Sequence, residues 1–264
     1  MKHIISEVDG PLGIITLNNP DKHNAFDDTL IADLTTALNA MEKNTEVRVV
    51  ILSAAGKSFS AGADLNWMKR IAGYSPEENF RDAMGLGTLM HTLHGLTKPT
   101  IARVQGAAYG GGVGLIACCD IAVGTHDAAF SLSEVKLGLI PAVISPYVAA
   151  AMGERAAHRY FLTAEKFDAS EAYRIGLLHE LAVNDDAMDE IINDICTALL
   201  TAGPHALREA KSLIAAVANK SINETLVAET AERIARVRAS EEGREGLTAF
   251  LEKRKPVWVP KTND

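Results

Sequence analysis

The fold is indicated by the stretch GAAYGGGVG at residues 106–114, which lies between a strand-like run, Thr100–Gln105, and an apolar helix-like run, Leu115–Cys119. Ordering three consecutive glycines carries a large entropic cost, so their presence at a helix entrance indicates backbone amides that face a bound group. Amides at a helix N-terminus carry positive partial charge, which suits a phosphate or a developing oxyanion.

A dinucleotide-binding loop is the competing interpretation of these glycines. Gly110, Gly112 and Gly114 lie near a helix start, and Glu134 follows at the distance of a ribose-binding acid. The spacing is not G-x-G-x-x-G, however, and the stretch has no Lys-Ser/Thr of a P-loop and lies in the middle of the chain. These departures argue against a nucleotide-phosphate site.

The segments before this stretch alternate between strand and helix patterns. Asp9-Gly10 supplies the positive φ angles of a tight hairpin. Apolar residues at helical spacing and a Ser-Pro-Glu-Glu capping sequence predict helices, and β-branched runs predict strands. The predicted strands are His3–Val8, Leu12–Leu17 and Val47–Leu52, and the predicted helices are Leu30–Met41 and one from Ser75 to about Leu93.

The segments after it change from alternating to helical. Ile121–Val123 and Leu177–Val183 are predicted strands, and helices are predicted to start near Asp185, Pro204, Ser221 and Ser240. The first two-thirds of the chain is therefore predicted to be α/β and the last third all-helical.

The composition is that of a globular protein of 264 residues, with 47% hydrophobic and 23% charged residues. A net charge of -8 argues against general affinity for nucleic acid or an anionic membrane. Cys118, Cys119 and Cys196 lack metal-site spacing and are expected to be reduced core residues, so no metal is predicted. Neither a signal peptide nor a long apolar stretch is found, and a cytoplasmic location is expected.

A second loop of small residues, Ser58–Leu65 (SFSAGADL), directly follows the strand Val47–Leu52. Loops at the carboxyl ends of parallel strands are where open α/β sheets bind ligands, and small residues allow close approach to the backbone. A plain tight turn is the alternative interpretation.

Glu134 is a single carboxylate among apolar residues in FSLSEVKLGLIP, residues 130–141. Partial burial would raise its pKa toward the range that suits proton transfer. Alternatively it is a solvated glutamate paired with Lys136.

Together these segments resemble the enoyl-CoA hydratase/isomerase, or crotonase, superfamily over nearly the whole chain. The resemblance rests on the order and spacing of NNPDKHNA (18–25), SAGAD (60–64), Gly106–Gly112, Glu134–Pro141, GREG (243–246) and FLEKRKP (250–256). It implies an α/β fold, a crotonase spiral of ββα units at residues 1–200. It also implies a C-terminal helical oligomerisation region at 201–264 that supports a homotrimer or a hexamer of two trimers.

The resemblance also implies roles for individual residues. The amides of Ala63 and Gly111 correspond to an oxyanion hole for a thioester carbonyl, and Glu134 corresponds to the second of two catalytic glutamates. The first glutamate falls at Gly114, which has no side chain. The implied substrate is an acyl-CoA, and because coenzyme A is part of this substrate, no separate cofactor is expected. The residues that the resemblance places around the substrate are Lys22, His23, Ala25, Ala61, Asp64, Leu65, Gly110, Pro141 and Lys253.

Three functions stay open at this point. Hydration of an enoyl-CoA and α/γ proton transfer by an isomerase both suit a lone Glu134, whereas an RNA-binding role is disfavoured by the acidic charge. NWMKR (66–70) and the 138–147 segment look most like bacterial methylglutaconyl-CoA hydratases of leucine breakdown. That substrate has a distal carboxylate, for which Lys69, Arg70, Arg81 and His91 are candidate donors, each also interpretable as part of a solvated helix face.

Overall fold

A computed structural model describes residues 3–259 of the chain. Its larger sheet has six strands in the order β1-β2-β3-β5-β7-β10. These strands are β1 (Ile4–Asp9), β2 (Leu12–Leu17), β3 (Val49–Ala54), β5 (Thr100–Val104), β7 (Ile121–Thr125) and β10 (Glu180–Ala182). β1 and β2 form the predicted antiparallel hairpin, and the other neighbours are parallel.

A second sheet of four short strands has the order β4-β6-β8-β9. Its members are β4 (Ser58–Ala61), β6 (Ala107–Tyr109), β8 (Ala129–Ser131) and β9 (Phe167–Asp168). β4, β6 and β8 each follow a strand of the larger sheet along the chain and pair in parallel with one another. The chain therefore repeats the unit of long strand, short strand and helix, which is the predicted crotonase-type spiral.

Ten α-helices occur among residues 3–259. They are α1 (Asp28–Lys43), α2 (Leu65–Ile71), α3 (Pro76–His94), α4 (Gly111–Cys118), α5 (Ser145–Thr163), α6 (Ala169–Arg174), α7 (Asp185–Thr201), α8 (Pro204–Val217), α9 (Glu224–Ala239) and α10 (Glu241–Leu251). Two 3-10 turns, Pro20–Lys22 and Glu134–Leu137, complete the regular structure that is described. In this part of the chain no helix combines the length and apolarity that crossing a membrane requires.

Local sequence explains where several helices begin. Ser75 and Glu78 form the predicted capping box of α3, and the Ser240 hydroxyl accepts a hydrogen bond from the Gly243 amide at the start of α10. The predicted start near Ser221 lies two residues before the observed N-cap, because Asn223 provides the capping side chain of α9. α4 begins at Gly111, before the apolar run that predicted it.

The hydrophobic core is built by the larger sheet and the helices around it. Buried side chains of β2, β3 and β5, such as Leu17, Leu52 and Val104, belong to the same cluster as Leu34 of α1 and Leu93 of α3. The three cysteines are free and buried, as predicted, and burial raises the pKa of Cys118 and Cys196.

The described chain divides into two compact units. The first contains the chain up to Leu96 together with Thr100–Asn193, and the second contains Thr97–Pro99 together with the chain from Asp194 onward. In the second unit, α8, α9 and α10 pack on one another, and Trp258 Nε1 donates a hydrogen bond to the Thr201 carbonyl oxygen at 3.1 Å. The division into residues 1–200 and 201–264 stays a prediction.

Candidate active site

A cavity of about 340 Å³ lies in the first unit where the three predicted loops meet. Its wall is formed by Gly62 and Ala63, by Gly110 and Gly111, and by the segment from Ser133 to Ile144. Apolar side chains of α2 and α3 complete the lining: Trp67, Met68, Ile71, Ala83 and Leu86. The cavity is therefore mainly apolar, with exposed main chain at two points.

The Ala63 amide is one of these points. The Phe26 amide donates to the Gly62 carbonyl oxygen at 2.9 Å, and the Asp64 amide donates to the Phe26 carbonyl oxygen at 2.8 Å. This is a parallel bridge between Phe26 and Ala63, so the N–H of Ala63 itself points away from the Phe26 backbone. Within residues 3–259 that N–H has no hydrogen-bond partner.

The Gly111 amide is the second point. Gly111 is the first residue of α4, and no partner for its N–H exists within the described residues, as expected for the first turn of a helix. Gly110 before it has φ 54° and ψ -116°, a conformation that favours glycine, and its own amide is held by the Ser131 carbonyl oxygen at 2.9 Å. The helix N-terminus thus presents a donor of positive partial charge to the cavity.

Glycine is required in this loop because neighbouring groups occupy the space of a side chain. A Cβ at Gly110 would lie 3.1 Å from Glu134 Oε1, and a Cβ at Gly111 would lie 2.9 Å from the Phe26 ring. A Cβ at Gly112 would collide with the carbonyl oxygen of Ser60. The absence of side chains at these glycines therefore permits close packing of the loop against β4, Phe26 and Glu134, which offsets the entropic cost of ordering them.

Glu134 contributes the carboxylate of the cavity. It begins a 3-10 turn that ends at Gly138 in the left-handed conformation, and it is half-buried in the lining. Its Oε2 atom is buried without a hydrogen-bond partner in the described structure, and burial raises the pKa of the group. The interpretation of a solvated pair with Lys136 is wrong, because Lys136 Nζ donates to the Ala164 carbonyl oxygen at 2.7 Å.

At Gly114, where the resemblance places a first glutamate, the space for a side chain is filled from another element. Gly114 is buried in α4, and a Cβ there would collide with the Ile144 side chain and lie 3.1 Å from Met90 Cε. Ile144 is itself part of the cavity lining. Glu134 is the sole carboxylate among the lining residues of the described chain.

Six of the residues predicted to bind the substrate gather beside the Ala63 loop. Lys22 Nζ lies 2.6 Å from Asp64 Oδ2, and the Ala61 amide donates to the His23 carbonyl oxygen at 2.9 Å. Asp64 also caps α2 and is buried, so its carboxylate is already satisfied by the protein. Ala25 is buried, whereas Leu65 has 73% of its surface exposed.

The remaining predicted residues lie elsewhere. Gly110 and Pro141 line the cavity with Glu134. Lys253 follows α10 in the second unit, with φ 56°.

Most of the apolar lining was not predicted, and it includes Phe26, Trp67 and Ile144. Phe26 directly follows the quoted motif at residues 18–25, which is the one signal that points to it. Trp67 Nε1 donates to Asp82 Oδ1 at 3.0 Å, so this indole is fixed between α2 and α3.

The four candidate cations all lie outside the cavity lining of the described residues. Arg70 is paired with Asp28, with Nη2 and Oδ1 2.7 Å apart. Lys69 is exposed one position after the lining residue Met68. Arg81 and His91 lie on α3.

Known proteins are similar to this chain in sequence and in structure. Residues 7–261 match the sequence profile described as enoyl-CoA hydratase/isomerase. The chain is 30% identical to a crotonyl-CoA hydratase from Syntrophomonas wolfei, covering 98% of this chain and 99% of that protein. It is 31% identical to a short-chain-enoyl-CoA hydratase from Clostridium acetobutylicum, covering 97% of each. A crystal structure of an enoyl-CoA hydratase from Shewanella pealeana is 47% identical, covering 97% of this chain and 96% of that one, with a TM-score of 0.94.

Proposed function

The chain belongs to the enoyl-CoA hydratase/isomerase family, and on that premise we propose that it adds water across the α,β double bond of an acyl-CoA thioester. The observation that carries the proposal is the shared cavity of two unpaired amides and one buried carboxylate. Ala63 and Gly111 supply the amides, and Glu134 supplies the carboxylate.

The two amides act on the thioester oxygen. Attack at the β-carbon gives an enolate whose negative charge is concentrated on this oxygen, and preorganised N–H groups stabilise such charge without reorganising. Each donor of this kind contributes on the order of 3 kcal/mol to the lowering of the barrier. The N-terminus of α4 adds positive partial charge on the same side.

Glu134 moves the protons. Its ionised carboxylate accepts a proton from water as the water oxygen bonds to the β-carbon, and the electron pair of the double bond moves into the enolate. The protonated Glu134 then gives a proton to the α-carbon, which restores both the thioester carbonyl and the carboxylate. One residue is sufficient because Glu134 releases in the second step the proton that it accepted in the first, and so returns to its ionised form.

Isomerisation is the second candidate function, and the environment of Gly114 favours it. Since Ile144 fills the space where a first glutamate would project, a second carboxylate is lacking among the described lining residues. A lone Glu134 that removes a proton from the α-carbon and returns it at the γ-carbon needs no water. Incubation with 2-enoyl and 3-enoyl thioesters in deuterated water, followed by mass analysis of the products, distinguishes hydration from the double-bond shift.

Substitution Glu134→Gln tests the assignment of Glu134. Loss of the proton carrier is expected to lower kcat on crotonyl-CoA by about 100-fold or more, since general acid–base catalysis contributes factors of this size. Glu154→Gln is the matched control, because the Glu154 side chain is 91% exposed on α5. Turnover of Glu134→Gln close to that of the control on every enoyl-CoA tried refutes the assignment.

We propose 3-methylglutaconyl-CoA as the specific substrate, on the basis of the resemblance of residues 66–70 and 138–147. A distal carboxylate needs a cation at the far end of the acyl chain. Arg70 is already paired with Asp28, and Lys69 is the candidate that directly follows a lining residue, Met68, in the sequence of α2. We therefore assign carboxylate recognition to Lys69.

A panel of enoyl-CoA thioesters tests this finer proposal. Lys69→Met is expected to raise KM for 3-methylglutaconyl-CoA by about tenfold, the equivalent of one charge-assisted hydrogen bond, while KM for crotonyl-CoA stays within about twofold. Equal changes for both substrates contradict the role of Lys69. A protein that turns over crotonyl-CoA but not the glutaconyl ester contradicts the substrate.

The same family membership supports three further proposals. We propose that the stretch containing Lys22 and His23 binds the nucleotide and pantetheine of coenzyme A, and that Lys253 contacts a CoA phosphate bound to a neighbouring subunit. We also propose that no cofactor is needed beyond the coenzyme carried by the substrate. We propose a homotrimer or a dimer of trimers, supported by exposed apolar residues of the second unit such as Phe250 and Leu251. A cytoplasmic location and a role in leucine breakdown stay predictions.

A further inference from the structure

We propose that Phe26 is a positioning residue that sets the separation between the Ala63 and Gly111 N–H groups. The inference rests on the proposed function, since this separation matters only if both groups bind one oxygen. Phe26 is 2% exposed, and it contacts both amide-bearing loops by different parts of the same residue.

The backbone of Phe26 fixes the Ala63 loop. Its N–H binds the carbonyl oxygen of Gly62, and its carbonyl oxygen accepts from the amide of Asp64, so Ala63 is held from both sides. Two hydrogen bonds that flank a residue leave little freedom for the peptide between them. The direction of the Ala63 N–H is therefore determined by the backbone of Phe26.

The ring of Phe26 fixes the Gly111 loop. Its Cε2, Cδ2 and Cζ atoms lie within 2.9 to 3.1 Å of the place where a Gly111 Cβ would be. The ring therefore lies directly against the Gly111 Cα, at the first residue of α4. Gly111 therefore cannot move toward the ring without displacing it.

Sheet pairing does not extend to the two donors. β4 and β6 pair in parallel up to Ala61 and Tyr109, and the pairing ends before Ala63 and Gly111. Beyond the end of this pairing, the backbone of Phe26 bonds to the Ala63 segment and its ring packs on Gly111. Past the last hydrogen bonds between β4 and β6, the contacts of Phe26 therefore set the separation of the Ala63 and Gly111 segments.

Phe26 is itself firmly anchored. The buried Asn24 side chain donates to the carbonyl oxygens of Ala55 and Ser58, each at 2.9 Å. The Ser60 hydroxyl donates to the Asn24 carbonyl oxygen at 2.8 Å, and Asp27 caps α1 on the other side of Phe26. A ring held on such a rigid backbone can keep the separation of the Ala63 and Gly111 segments constant.

Phe26→Leu is the test variant, because leucine keeps the backbone hydrogen bonds but not the full ring. We expect kcat on crotonyl-CoA to fall by about 10- to 100-fold with KM within about threefold, since misplaced donors lose more in the transition state than in the ground state. Phe26→Met, a longer side chain, is expected to recover part of the loss and is the second variant if leucine prevents folding.

Phe167→Leu is the matched control. Phe167 is 6% exposed and stacks on Phe130 with ring centroids 5.4 Å apart, outside the cavity lining. The Phe167→Leu variant is expected to lower the melting temperature as Phe26→Leu does, but its kcat should stay within about twofold of the wild type.

The infrared stretch of a ¹³C-labelled thioester carbonyl in bound crotonyl-CoA gives a readout that general destabilisation does not move. Two donors on the oxygen shift this band to lower frequency, and Phe26→Leu should lose part of the shift while Phe167→Leu retains it. A folded Phe26→Leu with wild-type kcat and band position overturns the inference. A wild-type protein whose bound carbonyl is unshifted and whose substrate is not turned over overturns the proposed function itself.

Discussion

Glu134 combines a carboxylate with an apolar, half-buried site, and this sets how the protein responds to pH. Burial raises its pKa above the ordinary value, because the charged form loses hydration and Oε2 has no hydrogen-bond donor in the described structure. Hydration begins with the ionised form. The acid limb of kcat/KM on crotonyl-CoA is therefore expected above about 4.3, the ordinary value for glutamate. A limb at or below that value contradicts the burial of Glu134.

The same shift predicts a pH-dependent stability. Since the pKa of Glu134 is raised in the folded state, its contribution favours folding below the ordinary pKa and is lost as pH rises through the raised one. Glu134→Gln carries no such penalty, so its melting temperature should exceed that of the wild type at neutral pH. The difference should vanish below about pH 4. A variant that is less stable than the wild type at every pH contradicts this account.

Candidate segments could be identified where the chemistry is local in sequence. The two small-residue loops and Glu134 are visible in the chain as glycine-rich runs and as a carboxylate among apolar residues, whereas the roles of Ala63 and Gly111 were implied by the family resemblance. Phe26 and Ile144 were missed because their importance depends on contacts with Gly111 and Gly114, which are distant in sequence. No periodic pattern encodes such a contact.

At the scale of elements, the helix α4 depends on glycine for packing. Gly114→Ala is expected to lower the free energy of unfolding by about 1 to 3 kcal/mol, the usual cost of overpacking, because a Cβ there collides with Ile144. Denaturant titration measures it.

Gly85 of α3 is the matched helical control. Its Cβ would lie 4.0 Å from the nearest atom, Ile31 Cγ2. Gly85→Ala is expected to raise the free energy of unfolding by up to about 1 kcal/mol through helix propensity. Equal effects at Gly114 and Gly85 would show that the space beside Ile144 is not closely packed.

Elements with a local sequence signal were predictable, whereas the short strands of the second sheet were not. The hairpin of β1 and β2 and the helix α3 follow from an Asp-Gly turn and a capping box, which are signals within the chain. The short strands β4, β6 and β8 were missed, because three or four residues do not establish an alternating pattern. They are defined by pairing with one another across long stretches of sequence.

At the scale of the molecule, the second unit leaves large apolar side chains in solvent. Phe250 and Leu251 of α10 are 79% and 78% exposed. If copies of the chain cover them, the mass in solution should be three or six times the 28.2 kDa of one chain.

Sedimentation velocity of charged variants tests this assembly. The double substitution Phe250→Glu and Leu251→Glu should yield monomers, whereas Leu162→Glu on α5, which is 72% exposed in the first unit, should leave the assembly intact. A monomeric wild type, or an assembly that survives the double substitution, contradicts the proposed contact.

Catalysis at this cavity requires two main-chain donors and one carboxyl group to converge on a single thioester. The most direct measurement is a crystal structure of Glu134→Gln with crotonyl-CoA bound. We predict that the thioester oxygen accepts hydrogen bonds of about 2.7 to 3.1 Å from both the Ala63 and the Gly111 amides, with the side chain of residue 134 over the α- and β-carbons. A thioester oxygen that contacts neither amide would contradict the account.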